Sequence, residues 1–410
     1  MRFGVNYTPR VNWFHAWLDL DLDAVSDDFA TLASLGLDHV RIFPLWPLLQ
    51  PNRTLIRPSA VADVQAVARV AADHGLEVVV DVLQGHLSSF DFLPSWVTSW
   101  HGRNLFTDPQ VRSGQRDLTA ALADALAGEP NGLGLSVGNE FIQFAADRHP
   151  DQNRLTTEQA SQWLDELLAV AQRHWPGGLH THSFDDDLWF DPTHPFTPEL
   201  ATTKGEVTTV HSWIFGQLGA LLGVDHPGLA TFARYLCELA RAWSDDPARG
   251  VWLQEVGAPL SHISSAKAAE FVTATLDHLT NGHDLWGVTW WCSHDVARSL
   301  ADFPELEHTL GLVDEHGHVK DAGRALAEFI SDWTPSVHQR PTTALVFEDA
   351  DLAAARTDTS PRGATARAWL DAALEGEYRQ LIRSSRAADM THLSGRGITR
   401  LVHEQSRSTA

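Results

Sequence analysis

The stretch Leu135-Ser-Val-Gly-Asn-Glu140 decides the fold that we predict for this chain. It begins as a short apolar run flanked by glycines, which is typical of a buried parallel strand. It ends on a polar pair, Asn139 and Glu140. A strand that stays apolar and then presents polar groups at its carboxyl end is typical of a (β/α)8 barrel, because such barrels carry their chemistry at that face.

A second stretch repeats this plan further along the chain. Gly250-Val-Trp-Leu-Gln-Glu-Val-Gly257 is again an apolar run between glycines, and it presents Glu255. Two carboxyl groups that come from two strand ends are the minimum equipment for hydrolysis of a glycosidic bond. The pair Glu140 and Glu255 is therefore the candidate catalytic pair.

Strand-like apolar runs alternate with helical periodicity along residues 1–335. We predict strands near residues 3–7, 37–43, 76–83, 135–140, 179–183, 207–211, 250–257 and 287–291. Eight alternating units favour a (β/α)8 TIM barrel over the alternative, an open doubly wound sheet, which usually has fewer strands. No glycine-rich phosphate motif follows any of these strands, so nucleotide binding has no support.

The last part of the chain has a different character. We predict that residues 1–335 form the catalytic barrel and that residues 336–410 form a short C-terminal appendage. The appendage contains one strand candidate, Ala344-Leu-Val-Phe347, then a linker near 357–364, a charged helical stretch from Thr365 to Arg386 and a frayed tail. It has too few strands for a β-sandwich sugar-binding module.

Composition excludes several classes of partner. The chain has 53 acidic and 30 basic residues and a net charge of −23, which disfavours nucleic acid and anionic membranes. It has no run of 18 apolar residues, so we expect no transmembrane helix. The first residues read as a strand without a signal peptide, and the two cysteines form neither a disulfide framework nor a zinc spacing. We therefore expect a cytoplasmic protein, whose oligomeric state the sequence leaves open.

Polar and aromatic residues recur at or just after the predicted strand ends. They are Arg41, Trp46, Gln84, His86, Asn139, Glu140, Asp185, His211, Trp213, Glu255, Trp290 and Trp291. Each residue alone is weak evidence, since a lone tryptophan more often packs in a core and a lone Asn-Glu pair is more often a helix cap or a surface pair. Their common register indicates one functional rim, because the carboxyl ends of barrel strands meet at one face.

Six motifs on this rim carry a resemblance to a known family. They are His39-Val-Arg41, Gln84-Gly-His86, Gly138-Asn-Glu140, Val210-His-Ser-Trp213, Gln254-Glu255 and Thr289-Trp-Trp291. The chain resembles clan A glycoside hydrolases, family 5 in particular, over residues 1–335. Three further stretches look most like the exo-acting β-mannosidases of that family: Asn6-Tyr-Thr-Pro9, Phe43-Pro-Leu-Trp46 and Gln84-Gly-His-Leu-Ser-Ser-Phe90.

The resemblance implies a role for each rim residue. Glu140 is expected to be the acid/base and Glu255 the nucleophile of a retaining mechanism, with the carboxyl groups about 5–5.5 Å apart. We expect Arg41 to hold the pKa of Glu255 down, and Glu140 to start in its protonated form. The expected substrate contacts are Arg41, His86, Asn139, His211, Trp213, Trp291 and Trp46. Trp213 departs from the family, where tyrosine is common at this position.

The expected function is therefore that of an exo-β-mannosidase acting on short oligosaccharides such as mannose-β1,4-N-acetylglucosamine or mannobiose. An endo-β-mannanase or a β-glucosidase on the same barrel is the alternative enzyme. An inactive carbohydrate-binding barrel is the alternative of a different class. We expect no cofactor and no metal, because two carboxyl groups suffice for the chemistry.

Overall fold

Eight parallel strands form a nearly closed barrel in the computed structural model, which describes residues 1–280, 285–334 and 340–403. The barrel strands are β1 (Arg2–Asn6), β2 (His39–Ile42), β3 (Glu77–Asp81), β4 (Gly132–Asn139), β5 (Thr181–Ser183), β6 (Thr208–Ser212), β7 (Val251–Val256) and β8 (Gly287–Trp290). Six long helices lie between them in the sequence and a seventh follows β8: α1 (Leu22–Ser34), α2 (Pro58–Asp73), α3 (Pro109–Leu126), α4 (Thr157–His174), α5 (Phe232–Trp243), α6 (Ala268–Thr280) and α7 (Asp321–Asp332). The predicted (β/α)8 TIM barrel is confirmed.

Local sequence signals set where several helices begin. The side chain of Asp21 accepts hydrogen bonds from two backbone N–H groups at the start of α1, and Asp108 does the same for α3, which starts with Pro109. Thr156 and Gln159 form a reciprocal capping box at the start of α4. These caps fix the helix starts, and so the lengths of the loops that lead from the strand ends.

The strand register brings distant polar residues together. Asn6 on β1 pairs with Arg41 on β2. Between β6 and β7 the register shifts at Val210 and His211, so that His211 pairs with Glu255. Such an irregularity re-aims side chains at the end of a strand. It places His211 beside Glu255 at the carboxyl end of the barrel.

The barrel has one seam, between β5 and β6. No strand ladder joins these two neighbours within the described residues. Side chains bridge the seam instead: Thr209 Oγ1 donates to the carbonyl of His182 at 2.6 Å, and Thr181 Oγ1 donates to the carbonyl of Val207 at 3.2 Å. Residues 184–206 connect β5 to β6 at this seam, starting from the carboxyl end of β5.

The C-terminal segment, residues 340–403, contains more strands than we predicted. Its three parallel strands are β9 (Thr343–Phe347), β10 (Gln380–Arg383) and β11 (Arg400–His403), in the order β10-β9-β11. Its helices are α8 (Leu352–Thr359), α9 (Ala364–Leu374) and α10 (Met390–Gly395). The prediction of one strand and of a helix reaching Arg386 is wrong, because the chain turns at Gly376 and residues 380–383 pair with β9.

The C-terminal segment packs on α5. All residues of α5 are buried, since the helix lies between the barrel strands and the added sheet. Arg383 on β10 donates to the carbonyl of Ala242 at 3.0 Å, and its guanidinium lies 5.3 Å from the ring centroid of Trp243. The predicted frayed tail after Arg386 is wrong for residues 387–403, because they contain α10 and β11. The predicted boundary between residues 335 and 336 and residues 404–410 lie outside the described residues, so the division into two domains stays a prediction.

No helix in the described part of the chain is long and apolar enough to cross a membrane.

Candidate active site

Two glutamates face each other at the carboxyl end of the barrel. Glu140 directly follows β4, and Glu255 lies near the end of β7. One carboxyl oxygen of each and a ring nitrogen of His211 all lie within 4.8 Å of one another. Residues 115 positions apart in the sequence are therefore brought to a spacing at which both carboxyl groups can reach one small group between them.

Glu255 is held by two hydrogen-bond donors. Arg41 Nη1 lies 2.8 Å from Glu255 Oε1, and Trp213 Nε1 lies 3.3 Å from Glu255 Oε2. The carboxyl is 3% exposed. Both oxygens are thus fixed, and one of them accepts a charge-assisted bond, which is the stronger kind.

Arg41 is the centre of a buried polar cluster beneath the glutamates. Its guanidinium has no exposed surface, and it donates to Asp81, Asn6, Asn139 and Glu255. Burial acts to lower the pKa of Arg41, but the charges of Asp81 and Glu255 outweigh this effect and raise the pKa. Arg41 is therefore a permanent cation that bonds to residues of four other strands, β1, β3, β4 and β7.

Glu140 adopts an unusual backbone conformation. Its φ of 41° lies in the left-handed region, which residues other than glycine seldom enter. Its carboxyl accepts from Gln143 Nε2 at 2.5 Å and pairs with His211 Nδ1 at 2.7 Å. The side chain is 12% exposed, and so it reaches the cavity while its two oxygens are held from behind.

The pKa values of the two glutamates differ in direction. Burial raises the pKa of Glu255, and this effect prevails over the opposing charges of His211 and Arg41. Burial also acts to raise the pKa of Glu140, but the hydrogen bond and charge of His211 outweigh it, so this pKa lies below its ordinary value. The order is the reverse of our prediction. Glu140 accepts the hydrogen bond of His211 Nδ1, whereas burial is the largest influence on Glu255.

A cavity of about 660 Å³ opens above the glutamates. Six predicted site residues line it: Glu140, Glu255, His86, Asn139, Trp213 and Trp291. Gly257, two residues after Glu255, permits this packing, since a Cβ there would lie 2.7 Å from the carbonyl of Trp291. The structure therefore brings most of the predicted rim to one cavity.

Three predicted residues do not line the cavity. Arg41 and His211 lie behind the glutamates and act through them. Trp46 has no exposed surface, donates to Gln50 Oε1 at 2.9 Å and packs against Trp96 and Phe141. The structure thus gives Trp46 a core-packing position, because the loop after β2 turns into a short helix that carries the indole inward.

The sequence reasoning missed Glu307, and it placed Asp185 on the rim but not Asp186 or Asp187. Glu307 lies in a short turn well beyond β8, is 7% exposed and lines the cavity, and burial raises its pKa to about 7. Asp185, Asp186 and Asp187 line the opposite wall with Arg148, although an acidic run is more often a solvated turn. The only available signal was that residues 184–206 follow a strand end.

The same three ligand atoms of Glu140, His211 and Glu255 have a spacing that a divalent ion could bridge. However, each of the four carboxyl oxygens already has a protein donor: Arg41 and Trp213 for Glu255, and His211 and Gln143 for Glu140. The donor set therefore fits a hydrogen-bonded pair of acids better than a set of ligands that await a metal.

Comparisons with known proteins place this geometry in a family. Protein-family models gave no match, and neither did curated proteins. Among solved structures, a GH5_18 glutamate-to-alanine variant from Streptomyces cattleya, in complex with Manβ1-4GlcNAc, is 52% identical, with 98% of each chain covered and a TM-score of 0.96. A GH5_18 protein from Bifidobacterium longum subsp. longum ATCC 55813 is 43% identical, with 99% of this chain and 97% of that chain covered and a TM-score of 0.95.

A more distant structure shares the fold. The exo-β-1,4-mannosidase Op5Man5 from Opitutaceae bacterium strain TAV5 is 21% identical, with 98% of this chain and 72% of that chain covered and a TM-score of 0.80. The barrel, the facing glutamates and these likenesses define a glycoside hydrolase of clan A. Within that class, the chain belongs to glycoside hydrolase family 5, subfamily GH5_18.

Proposed function

We propose that the protein is a retaining exo-β-mannosidase that releases terminal non-reducing β-mannose from short oligosaccharides by double displacement. The observation that carries the proposal is the approach of Glu140 and Glu255 to within 4.8 Å. Retaining enzymes place their carboxyl groups about 5–5.5 Å apart, whereas inverting enzymes need about 6.5–9.5 Å to admit a water molecule. The observed spacing supports the retaining mechanism.

In the first step, a carboxylate oxygen of Glu255 attacks the anomeric carbon of the mannosyl unit. The bond from this carbon to the glycosidic oxygen breaks, and Glu140 gives its proton to that oxygen. Glu255 suits the nucleophilic role because Arg41 and Trp213 fix its two oxygens. In the second step, Glu140 takes a proton from water, the water oxygen attacks the same carbon, and the ester bond to Glu255 breaks.

His211 is the candidate carrier of the catalytic proton while the site is empty. Burial acts to lower its pKa, but the charges of Glu255 and Glu140 outweigh this effect and raise it. Its Nδ1 lies 2.7 Å from Glu140 Oε1, which is within the range for proton transfer. Because the pKa of Glu140 is depressed while the site is empty, we propose that His211 holds the proton until a sugar enters and that Glu140 carries it when the sugar is bound.

The remaining rim residues suit the mannosyl unit. Asn139 Oδ1 accepts from Arg41, and its Nδ2 donates one of its two protons to the carbonyl of His86 at 3.0 Å. The second proton of that amide is available for the sugar 2-OH, where a hydrogen bond strengthens in the transition state. Trp291 offers its flat indole as the floor of the sugar site.

A cluster of aromatic rings next to the cavity is consistent with the exo action that we propose. Trp13, which follows β1, packs against Phe303 at 4.7 Å and against Phe92 at 5.7 Å between ring centroids. These rings join the loops after β1, β3 and β8, and the neighbouring residues Ser89 and Pro304 line the cavity. Under the proposed function this cluster blocks one end of the cavity, so that the site takes a chain terminus rather than the middle of a polymer.

The ligands of similar structures support the proposed substrate class. The Streptomyces cattleya protein was solved with Manβ1-4GlcNAc and also with GlcNAc. We propose the same kind of substrate here, with mannobiose as a second one. A cytoplasmic location fits the two free, buried cysteines, Cys237 and Cys292.

The deciding experiment follows the anomer of the released sugar by NMR before mutarotation. Manβ1-4GlcNAc, mannobiose and p-nitrophenyl β-mannoside should each give β-mannose first. Initial release of α-mannose would refute retention. Preferred cleavage of p-nitrophenyl β-glucoside would indicate a β-glucosidase, and rapid loss of galactomannan viscosity would indicate an endo-mannanase. Binding of mannose without turnover of any substrate would indicate an inactive sugar-binding barrel.

A further inference from the structure

The wall of the cavity beside Glu140 is built by the segment that leaves β5. Asp185, Asp187 and Phe190 belong to this segment and line the cavity. The charges of Asp187 and of Arg148 act on each other and on Glu140. Because Glu140 is the group that protonates the departing oxygen under the proposed function, the wall next to it faces the departing sugar.

This wall offers unused hydrogen-bond acceptors. Asp185 is 2% exposed, and neither of its carboxyl oxygens has a hydrogen-bond partner among the described residues. Arg148 lies 2.6 Å from Asp187 but 3.6 Å from Asp185, beyond hydrogen-bond range. A buried acceptor without a donor is costly, and a sugar hydroxyl or an N-acetyl N–H group in the cavity would satisfy it.

The wall is held from behind by the C-terminal segment. Arg356 on α8 is 1% exposed, and its guanidinium donates to three backbone carbonyls of the wall segment. They are those of Asp191 at 2.8 Å, His194 at 2.9 Å and Phe196 at 2.5 Å. The guanidinium of Arg356 thus fixes both ends of the turn formed by residues 191–196. This turn directly follows the cavity-lining Phe190 and lies more than 150 residues before Arg356 in the sequence.

A row of aromatic rings makes a second connection. Phe190 and Phe232 both line the cavity and stack at 6.3 Å between centroids. The row continues from Phe232 through Tyr235 to Trp369 of α9, and the hydroxyl of Tyr235 donates to the carbonyl of Thr359. Pro361, in the next turn, itself lines the cavity.

We propose that the C-terminal segment completes the subsite for the departing sugar, and that Arg356 is the positioning residue that holds the wall of Asp185, Asp187 and Phe190 in place. This proposal rests on the proposed function and goes further, since it assigns a role in substrate selection to residues 340–403. The ligand of this subsite is a hydroxyl-rich pyranose, with GlcNAc as the probe.

The test compares two leaving groups in the full-length protein. Manβ1-4GlcNAc needs the subsite, whereas 2,4-dinitrophenyl β-mannoside departs without its help. For Arg356→Ala, we expect kcat/KM to fall at least about tenfold further on the disaccharide than on the aryl mannoside, mainly through KM. Arg356→Lys should recover part of the difference, since lysine donates to carbonyls but lacks the fork.

The matched control is Arg367→Ala, which removes an exposed arginine of the same segment whose Nε donates to the carbonyl of Gly363. It should change both substrates equally or not at all. An equal fall on both substrates for Arg356→Ala would overturn the proposal. If that variant does not fold, Arg356→Lys and Pro361→Ala decide, and the proposal fails unless both show the same preferential loss.

A second measurement separates this proposal from the proposed function. Calorimetric titration with GlcNAc reads the subsite without any turnover. We expect Arg356→Ala to weaken GlcNAc binding at least about tenfold relative to Arg367→Ala. If the wild-type protein hydrolyses no β-mannoside but Arg356→Ala still binds GlcNAc more weakly, the proposed function fails and the subsite stands. If it hydrolyses β-mannosides and GlcNAc binding is the same in both variants, the subsite fails alone.

Discussion

Arg41 Nη1 lies 2.8 Å from Glu255 Oε1, although 214 residues separate the two in the sequence. The same guanidinium also binds Asp81, Asn6 and Asn139. A single planar cation therefore sets the distances between the nucleophile candidate and its neighbours.

We expect Arg41→Lys to lower kcat/KM by about 100-fold or more, because lysine keeps the charge but cannot reach four acceptors from one rigid fork. The measurement is steady-state hydrolysis of p-nitrophenyl β-mannoside. Exposed Arg69→Lys, which pairs with Glu129 far from the cavity, is the control. Activity within threefold of wild type in Arg41→Lys would show that charge alone is enough.

Removal of either glutamate should lower turnover by several orders of magnitude, with opposite products in the presence of azide. With 2,4-dinitrophenyl β-mannoside, Glu255→Ala should give α-mannosyl azide, because azide then attacks in place of the nucleophile. Glu140→Ala should give β-mannosyl azide, because azide then attacks the ester on Glu255. An exchange of these two products would exchange the roles that we assign.

Trp213→Phe removes the N–H group that lies 3.3 Å from Glu255 Oε2 and keeps a ring of similar position. We expect kcat to fall about tenfold, since one hydrogen bond to a charged group contributes about 1.5–3 kcal/mol. Trp291→Phe serves for comparison, because it should act mainly on KM through the sugar floor. If both variants show the same split between kcat and KM, the two indoles do not have separate roles.

Glu307→Gln should make the protein more stable at high pH than wild type. The folded pKa of Glu307 is raised from 4.5 to about 7, so the folded state retains a proton that the unfolded chain has lost. The contribution of the protonated carboxyl is present below pH 4.5 and is lost as pH rises through 7. The stability of Glu307→Gln relative to wild type should thus grow by roughly 3 kcal/mol between pH 4.5 and 8.

Urea denaturation at pH 5 and at pH 8 measures this difference for Glu307→Gln. The neighbouring Glu305 is exposed, so Glu305→Gln should show little pH dependence of its effect. If the difference in unfolding free energy between Glu307→Gln and wild type is the same at both pH values, the cavity does not hold a protonated carboxyl at this position.

His182→Asn tests how the stability of the protein falls at acidic pH. Burial lowers the pKa of His182 from 6.5 to about 3, and neither ring nitrogen has a hydrogen-bond partner among the described residues. The unfolded chain therefore binds more protons as pH falls below 6.5, and the folded state loses about 2 kcal/mol of stability by pH 5. The variant should lack this loss in urea denaturation, whereas the exposed His316→Asn should keep it. Equal losses in wild type and His182→Asn would contradict the assignment.

The barrel was predictable because its pattern is local and repeated. An apolar run, a glycine and a helix with an apolar face recur along the chain, and the candidate catalytic pair comes from two strand ends. The positions of Glu140, Glu255, Asn139 and His211 at one face needed only the rule that parallel strands end together.

Other features of the fold and the site depend on tertiary packing, which local sequence patterns do not reveal. Residues 380–383 have two apolar residues between Gln380 and Arg383, too short a run to distinguish a strand from a helix. Trp46 and Trp291 both follow strand ends, and only tertiary packing decides that one is in the core and the other in the cavity. The directions of the two glutamate pKa shifts depend on burial and on which carboxyl accepts the hydrogen bond of His211, and both are set by tertiary packing.

The seam between β5 and β6 has a consequence for how this enzyme can change. The other neighbouring barrel strands are held in register by backbone hydrogen bonds. The seam is bridged by the hydroxyls of Thr181 and Thr209. The segment that emerges there can lengthen or shorten without shifting the register of either strand. Under the two proposals above, the preference for the departing sugar would change at this junction while Glu140 and Glu255 keep their positions.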